Sequence, residues 1–331
     1  MNTPSQDLLR MGLGFASAQA LHVAAELGIA DLLHDGPKGA EDLARATKTD
    51  AAALYRVLRF LASEGVFREE PVGVFAQTEL SSGLRADAAD SPRDFIRMIN
   101  REAYAAWGQL LYSVQTGRTA FDQVFGAPRF QWLANHPEQA ALFQRAMIGL
   151  SGPANSEAAE AYDFASCKRV VDVGGGHGQL LSAIVTQNPH LSGVLYDLPA
   201  GIEAARAGVG GPLPRCELLA GDFFTSVPEG SDVYIMKKVI HDWDDGSAAT
   251  ILDNSRRAMA PGGKVLVVET IVPAGNDPHP IKVMDLNMLA VTGGLERTRD
   301  QYERLFEQAG LRLARVIGTR GQLSILEAVA G

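Results

Sequence analysis

Cysteine is almost missing from this chain of 331 residues: Cys167 and Cys216 are the only two. They form neither a disulfide framework nor a metal-ligand spacing, and they read as reduced thiols of a cytosolic protein. Positive charge is also short. Thirty Lys and Arg stand against 39 Asp and Glu, a formal net charge of −9. The chain as a whole therefore has no electrostatic reason to seek nucleic acid or an anionic membrane. No apolar run approaches the ~20 residues of a membrane span. Met1 to Arg10 lacks the basic-then-apolar layout of a secretory signal. Internal repeats and low-complexity tracts are absent too. What remains is an ordinary globular composition, 46% hydrophobic and 21% charged, long enough for one large or two medium domains.

Glycine is what the chain does have, concentrated in one place. The β-like run Val170–Val173 breaks into Gly174-Gly175-Gly176-His177-Gly178 and then into a helix-like segment, Gln179–Gln187. A strand, a glycine turn and a helix N-terminus make a site for a nucleotide-like ligand. A dinucleotide fingerprint needs a sixth-place glycine, and that place is Gln179. Asp172, just before the turn, repels a pyrophosphate but accepts hydrogen bonds from a cationic amino-acid group. The pattern favours S-adenosylmethionine (SAM), which has an ammonium, a sulfonium and no phosphate.

Ahead of this turn the chain reads as helices. Leu8–Leu33 has apolar residues recurring at three and four, and Asp35-Gly36-Pro37 ends it. A short helix over Ala40–Ala46, a second over Ala51–Glu64 and a small hairpin around Pro71 make a winged-helix arrangement. Arg56 and Arg59 suggest DNA, but Glu41, Asp42, Asp50, Glu64, Glu69, Glu70 and Glu79 surround them. No basic stripe is available for phosphates, and packing or dimerisation is the better reading. Ser91–Val114 and Phe130–Ala161 read as further helices. Phe143 and Met147, four apart on one face, suit the wall of a flat aromatic ligand as well as a core.

From about Tyr162 strands and helices alternate. Seven strands are expected: Arg169–Val173, Gly193–Asp197, Cys216–Ala220, Val233–Val239, Lys264–Thr270, Leu311–Ile317 and Leu323–Val329. The first five predict a mostly parallel sheet covered on both faces, the last two an antiparallel hairpin. Ligands in such sheets bind at the carboxyl ends of the first strands. Those ends hold the unusual residues: Asp172; Asp197 with Leu198, about twenty residues after the glycine turn, where an acid accepts from ribose hydroxyls; Asp222 with Phe223, suited to an adenine; and then His241. A neutral imidazole near its ordinary pKa of ~6.5 accepts a proton from a phenol as a methyl group arrives. Glu269 and Glu296 are the acids expected to hold its tautomer. His241-Asp242-Trp243-Asp244-Asp245 is poorly spaced for a closed metal site, so no metal is expected. Asp242, Asp244 and Asp245 equally suit the cap of a following helix.

Together these segments resemble the SAM-dependent O-methyltransferases of the plant caffeate and flavonoid type and their bacterial natural-product relatives. The resemblance lies in Val-Val-Asp-Val-Gly-Gly-Gly-His-Gly (170–178), Tyr-Asp-Leu-Pro (196–199), Gly-Asp-Phe-Phe (221–224), Lys-Lys-Val-Ile-His-Asp-Trp-Asp-Asp (237–245), Val-Val-Glu-Thr-Ile-Val-Pro (267–273), Met-Asp-Leu-Asn-Met-Leu (284–289) and Gly-Gly-Leu-Glu-Arg-Thr (293–298). It implies an α/β, Rossmann-like SAM domain over 162–331, a winged-helix dimerisation domain over 1–100, and a helical linker over 101–161 that contributes to the acceptor pocket. It further implies that Gly174 and Gly176 lie against the methionine part of SAM, that Asp197 holds the ribose, and that Asp222, Phe223 and Lys237 serve the adenine end. His241 matches the general base, flanked by Glu269 and Glu296. Phe143, Met147 and Met288 match acceptor-lining positions, with Asn100 and Asn287 as further candidates. A cytoplasmic homodimer acting on a small aromatic hydroxyl is implied. Thr292, where many plant members have Asn, and the reduced stretch Gly275–Pro280 depart from the plant pattern. Nitrogen methylation, SAM-assisted decarboxylation or hydroxylation, and a SAM-sensing regulator are the other readings of the same scaffold.

Overall fold

The computed structural model describes residues 3–88, 91–208 and 211–331, without the side chains of 150–153. Met1 and Asn2, part of the stretch read for a signal, lie outside the described residues. The chain forms two compact units. One comprises Met1–Gly108 and Phe130–Leu150, the other Gln109–Arg129 and Ser151–Gly331. The stretch expected as a linker, 101–161, is thus shared between the two.

In the first unit the anticipated long helix is three: Pro4–Gly12, Gly14–Glu26 and Ile29–Leu32. Gly28 sits at φ 64 between the last two, a left-handed turn that glycine adopts without strain. Helices Ala40–Thr47 and Ala51–Ser63 follow, the second capped by Asp50, whose side chain accepts from the Ala53 N–H. Strands β1 (Lys38–Gly39), β2 (Phe67–Glu69) and β3 (Val74–Gln77) form an antiparallel sheet in the order β1-β3-β2. This is the winged helix, with a core built on Ile29, Leu43, Leu54, Leu58, Phe67 and Phe75. By contrast, the helix Pro4–Gly12 buries no residue.

The second unit is built on a seven-stranded sheet. Its strands are β4 (Arg169–Val173), β5 (Ser192–Asp197), β6 (Cys216–Ala220), β7 (Ser231–Lys237), β8 (Met259–Glu269), β9 (Leu311–Gly318) and β10 (Ser324–Ala330). The order is β6-β5-β4-β7-β8-β10-β9. The pairs from β6 to β8 are parallel, and β10 pairs antiparallel with β8 and β9. The central strands are buried along both faces, which is why Val170–Val173, Val233–Met236 and Val265–Val268 read as nearly unbroken apolar runs. One core layer packs helices Asp245–Ala258 and Arg299–Gln308 on the sheet. The other packs Gln179–Gln187 and Pro199–Arg206. The strand order reverses at β4, between β5 and β7, and the crevice above that point is where open α/β sheets bind ligands.

Two helical predictions are interrupted. Ser91–Val114 passes through a wider π turn at Ile99–Ala103 and breaks at Gly108 and Gln109. Phe130–Ala161 breaks at Asn135 and His136, because Pro137 starts a new helix and the residue before a proline avoids the helical region. Among the described residues no helix is long and apolar enough to cross a membrane.

Candidate active site

The glycine turn folds as tightly as its sequence requires. Gly174 (φ 68), Gly176 (φ 57) and Gly178 (φ 76) are left-handed. A Cβ on Gly175 would lie 2.5 Å from the Asp172 carboxyl carbon and 2.6 Å from Leu195 Cδ1. The Gly174 position is walled by Val239 and the Phe223 ring, whereas the position of a Gly176 Cβ is open. Asp197, at the end of β5, accepts from the Gly176 N–H and the Leu198 N–H, each at 2.7 Å. Its carboxylate therefore organises the turn. Burial raises the Asp197 pKa, opposed by those two N–H groups.

Asp172 is buried, and its Oδ2 has no hydrogen-bond partner. Burial pushes its pKa up to about 7, against the opposing charge of Lys237. A buried carboxyl with an orphan oxygen fits a cationic partner, as the SAM ammonium would supply. Lys237, the last residue of β7, has its own pKa lowered by burial, with Asp172 opposing. Leu198 is 56% exposed at its strand end. Asp222 is exposed and accepts from the Phe224 N–H at 2.9 Å. Phe223 stands edge-on to Trp243, and Asn254 holds the Phe223 and Phe224 carbonyls.

Beyond β7 a single turn, Ile240–Asp242, presents His241. Its Nδ1 lies 2.7 Å from Glu296 Oε1, and its backbone N–H points to Glu269 Oε1 at 3.4 Å. Both glutamates are buried. The tautomer this selects has Nδ1–H donating to Glu296 and Nε2 free to accept. The histidine departs from expectation in one respect. Burial alone disfavours its charge, but Glu269, Asp242 and Glu296 outweigh burial and lift its pKa to about 9. The surrounding carboxylates thus favour the imidazolium in the free protein, where a reference pKa anticipates the neutral ring.

Sequence reasoning also missed what fixes this turn. Arg297 is fully buried. Its guanidinium donates to the carbonyls of Ile240, Trp243 and Leu295 and to Asp245. It thus ties the chain on both sides of His241 to the segment holding Glu296. The Leu295 N–H donates to the His241 carbonyl at 2.8 Å, and a Cβ on Gly294 would sit 2.0 Å from that oxygen. The only sequence signal was the Gly-Gly-Leu-Glu-Arg-Thr motif itself. The acids after His241 divide: Asp244 caps the next helix through the Ser247 N–H, and Asp245 pairs with Arg297. One ring nitrogen of His241 and one carboxylate oxygen each of Glu269 and Glu296 lie within 4.8 Å of one another.

The expected acceptor residues fall in both units. Phe143 and Met147 pack beside Met98 and Leu142 in the first unit, and Asn100 donates to the Ile96 carbonyl there. Asn287 and Met288 are buried in the second unit, Met288 opening a π turn that ends at Thr292.

A parallel sheet with a glycine turn, acids at successive strand ends and a histidine–carboxylate pair defines a methyltransferase of the SAM class. Comparison with known proteins makes the assignment narrower. Residues 107–312 match an O-methyltransferase domain and residues 9–87 an O-methyltransferase dimerisation domain. The phenazine O-methyltransferase PhzM of Lysobacter antibioticus is 45% identical over 329 residues, covering 98% of this chain and 96% of that protein. The O-methyltransferase NcsB1 of neocarzinostatin biosynthesis, solved with SAM and 2-hydroxy-5-methyl naphthoic acid, superposes with a TM-score of 0.86 at 35% identity, over 96% of both chains. A phenazine-1-carboxylate N-methyltransferase of Pseudomonas aeruginosa is 30% identical, over 95% of this chain and 93% of that one. The chain belongs to the O-methyltransferase family whose members join a dimerisation domain to a SAM-dependent catalytic domain.

Proposed function

We propose that this protein transfers a methyl group from SAM to an aromatic hydroxyl of a small natural product, with His241 as general base. The observation that supports this most is the 2.7 Å contact between His241 Nδ1 and the buried Glu296. It favours one tautomer of the neutral ring and leaves Nε2 as the proton acceptor. SAM supplies an electrophilic methyl group on a sulfonium, so the protein needs an oriented acceptor and one base, and no covalent intermediate. Asp172 is the partner of the SAM ammonium, with Gly174 and Gly176 beside its methionine part. Asp197 and Leu198 serve the ribose, and Asp222, Phe223 and Lys237 the adenine end. Within the second unit, Asn287 and Met288 are the acceptor-contact residues. The protein works as a homodimer through its dimerisation domain.

Because neighbouring carboxylates raise the His241 pKa against the effect of burial, kcat/KM is expected to rise with pH until His241 deprotonates. The test is to incubate the full chain with SAM and a panel of hydroxylated phenazines and naphthoates, and to read products by mass. His241→Asn is expected to lose transfer by about 100-fold or more while still binding SAM. Near-full transfer by that variant overturns the base role. The similarity to an N-methyltransferase supports a second reading, methylation of nitrogen. Transfer to amino analogues but not hydroxyl analogues would select it.

A further inference from the structure

We propose that Lys238 is an electrostatic positioning residue for His241, acting through the two buried glutamates that its ammonium meets. The inference rests on His241 being the base. Lys238 leaves β7 with φ 56, a left-handed conformation that costs a side-chain-bearing residue about 1 kcal/mol or more. Its N–H donates to the Val268 carbonyl at 3.2 Å, which pins the turn against β8. The result is that Nζ lies 3.5 Å from Glu269 Oε2 and 3.9 Å from Glu296 Oε1. Among the described residues, the ion pairs of these two carboxylates are with Lys238 and His241 alone. Each carboxylate has its Oε2 buried and without a hydrogen bond, so a nearby cation offsets the cost of burying them. The same ammonium disfavours a dication at this carboxylate set.

Behind the His241 turn lies the buried Arg297 guanidinium, and Asp285 accepts from the Glu296 N–H. Asp242 lies on the histidine's own turn, with Oδ2 3.9 Å from Nε2. Glu269 comes from the end of β8, Glu296 from the segment before Arg299–Gln308, and Lys238 from the end of β7. Arg129 opposes Asp242. Three anions hold the proton on His241, and one lysine works against them. Lys238 therefore lets Glu296 orient the ring strongly while the ring still gives up its proton, and so becomes available as an acceptor, at a lower pH. Its side chain is 31% exposed, so replacing it leaves the core intact.

The test is a histidine titration by NMR on the full-length protein with ring-13C histidine, free and saturated with S-adenosylhomocysteine. The His241 signal is assigned by its loss in His241→Asn. Lys238→Met is expected to raise the His241 midpoint by about one pH unit, and Lys238→Arg to leave it near the wild-type value. An unmoved midpoint in Lys238→Met overturns the inference, as does an equal shift in both variants. The titration does not depend on turnover. If His241→Asn keeps its methyl transfer, the base reading fails, whatever the lysine does to the midpoint.

Discussion

Asp172 lies buried near the end of β4. Its pKa near 7 reflects burial without a partner for Oδ2. An acid whose folded pKa is raised holds a proton that the unfolded chain has already released. It therefore removes stability from the free protein as pH climbs from about 4 towards 7, and the loss is complete above that. A cationic ligand group reverses the preference by favouring the carboxylate. SAM affinity is thus expected to rise roughly tenfold between pH 6 and pH 8 and then level. Titration calorimetry at these pH values checks this, and Asp172→Asn is expected to bind weakly at both with no such rise. His241 has the opposite arrangement. Carboxylates already in place favour its charged form before any ligand arrives, with Lys238 opposing them.

Among the elements, the turn Ile240–Asp242 is the smallest and the most constrained. Three residues present the histidine, and the segment Gly294–Arg297 grips their backbone from the other side. The carbonyls of Ile240, His241 and Trp243 are all held, by the Arg297 guanidinium and the Leu295 N–H. Gly294 is required because a methyl group there would meet the His241 carbonyl and the Asp242 backbone, neither of which is a flexible side-chain end. Gly294→Ala is expected to destabilise the protein by about 1–3 kcal/mol through overpacking. SAM affinity, proposed to rest on residues at the ends of β4 to β7, is expected to stay within about threefold, while transfer falls at least tenfold as His241 is displaced. Thermal melts, calorimetry and an initial-rate assay separate the three effects. A variant losing SAM binding and transfer together would show that the two parts of the site are one cooperative element.

On the scale of the whole molecule, the N-terminal helices leave apolar surface uncovered. Leu8, Leu9, Met11, Leu13 and Phe15 are each more than half exposed, along a helix that buries nothing and the start of the next. A single chain rarely leaves so many neighbouring apolar side chains in water. Residues 9–87 match a dimerisation domain, so a second copy of the chain is the expected cover for this surface. Light scattering after size exclusion is expected to give twice the chain mass for the wild type. Leu9→Asp with Leu13→Asp is expected to give the single-chain mass, with helix content retained.

Periodicity and motif order already revealed most of this protein. Strands Arg169–Val173 and Cys216–Ala220 and the helix Gln179–Gln187 have the bounds their residues suggested, because apolar runs and the glycine turn are local signals. Asp172, Asp197 and Asp222 were visible for the same reason, each standing at the end of a readable strand. Helix breaks were harder. Gly28 was hidden inside an apolar period, and nothing local marks the π turn at Ile99. Three properties required residues far apart in sequence to meet. The Arg297 clamp joins segments more than fifty positions apart, Lys238 reaches Glu296, and the His241 pKa is set by carboxylates from three segments. Electrostatic energy depends on distance and burial, and neither is a property of a linear pattern. The chain's order of residues therefore announces a methyltransferase and its donor, while the folded arrangement decides how strongly its histidine holds a proton.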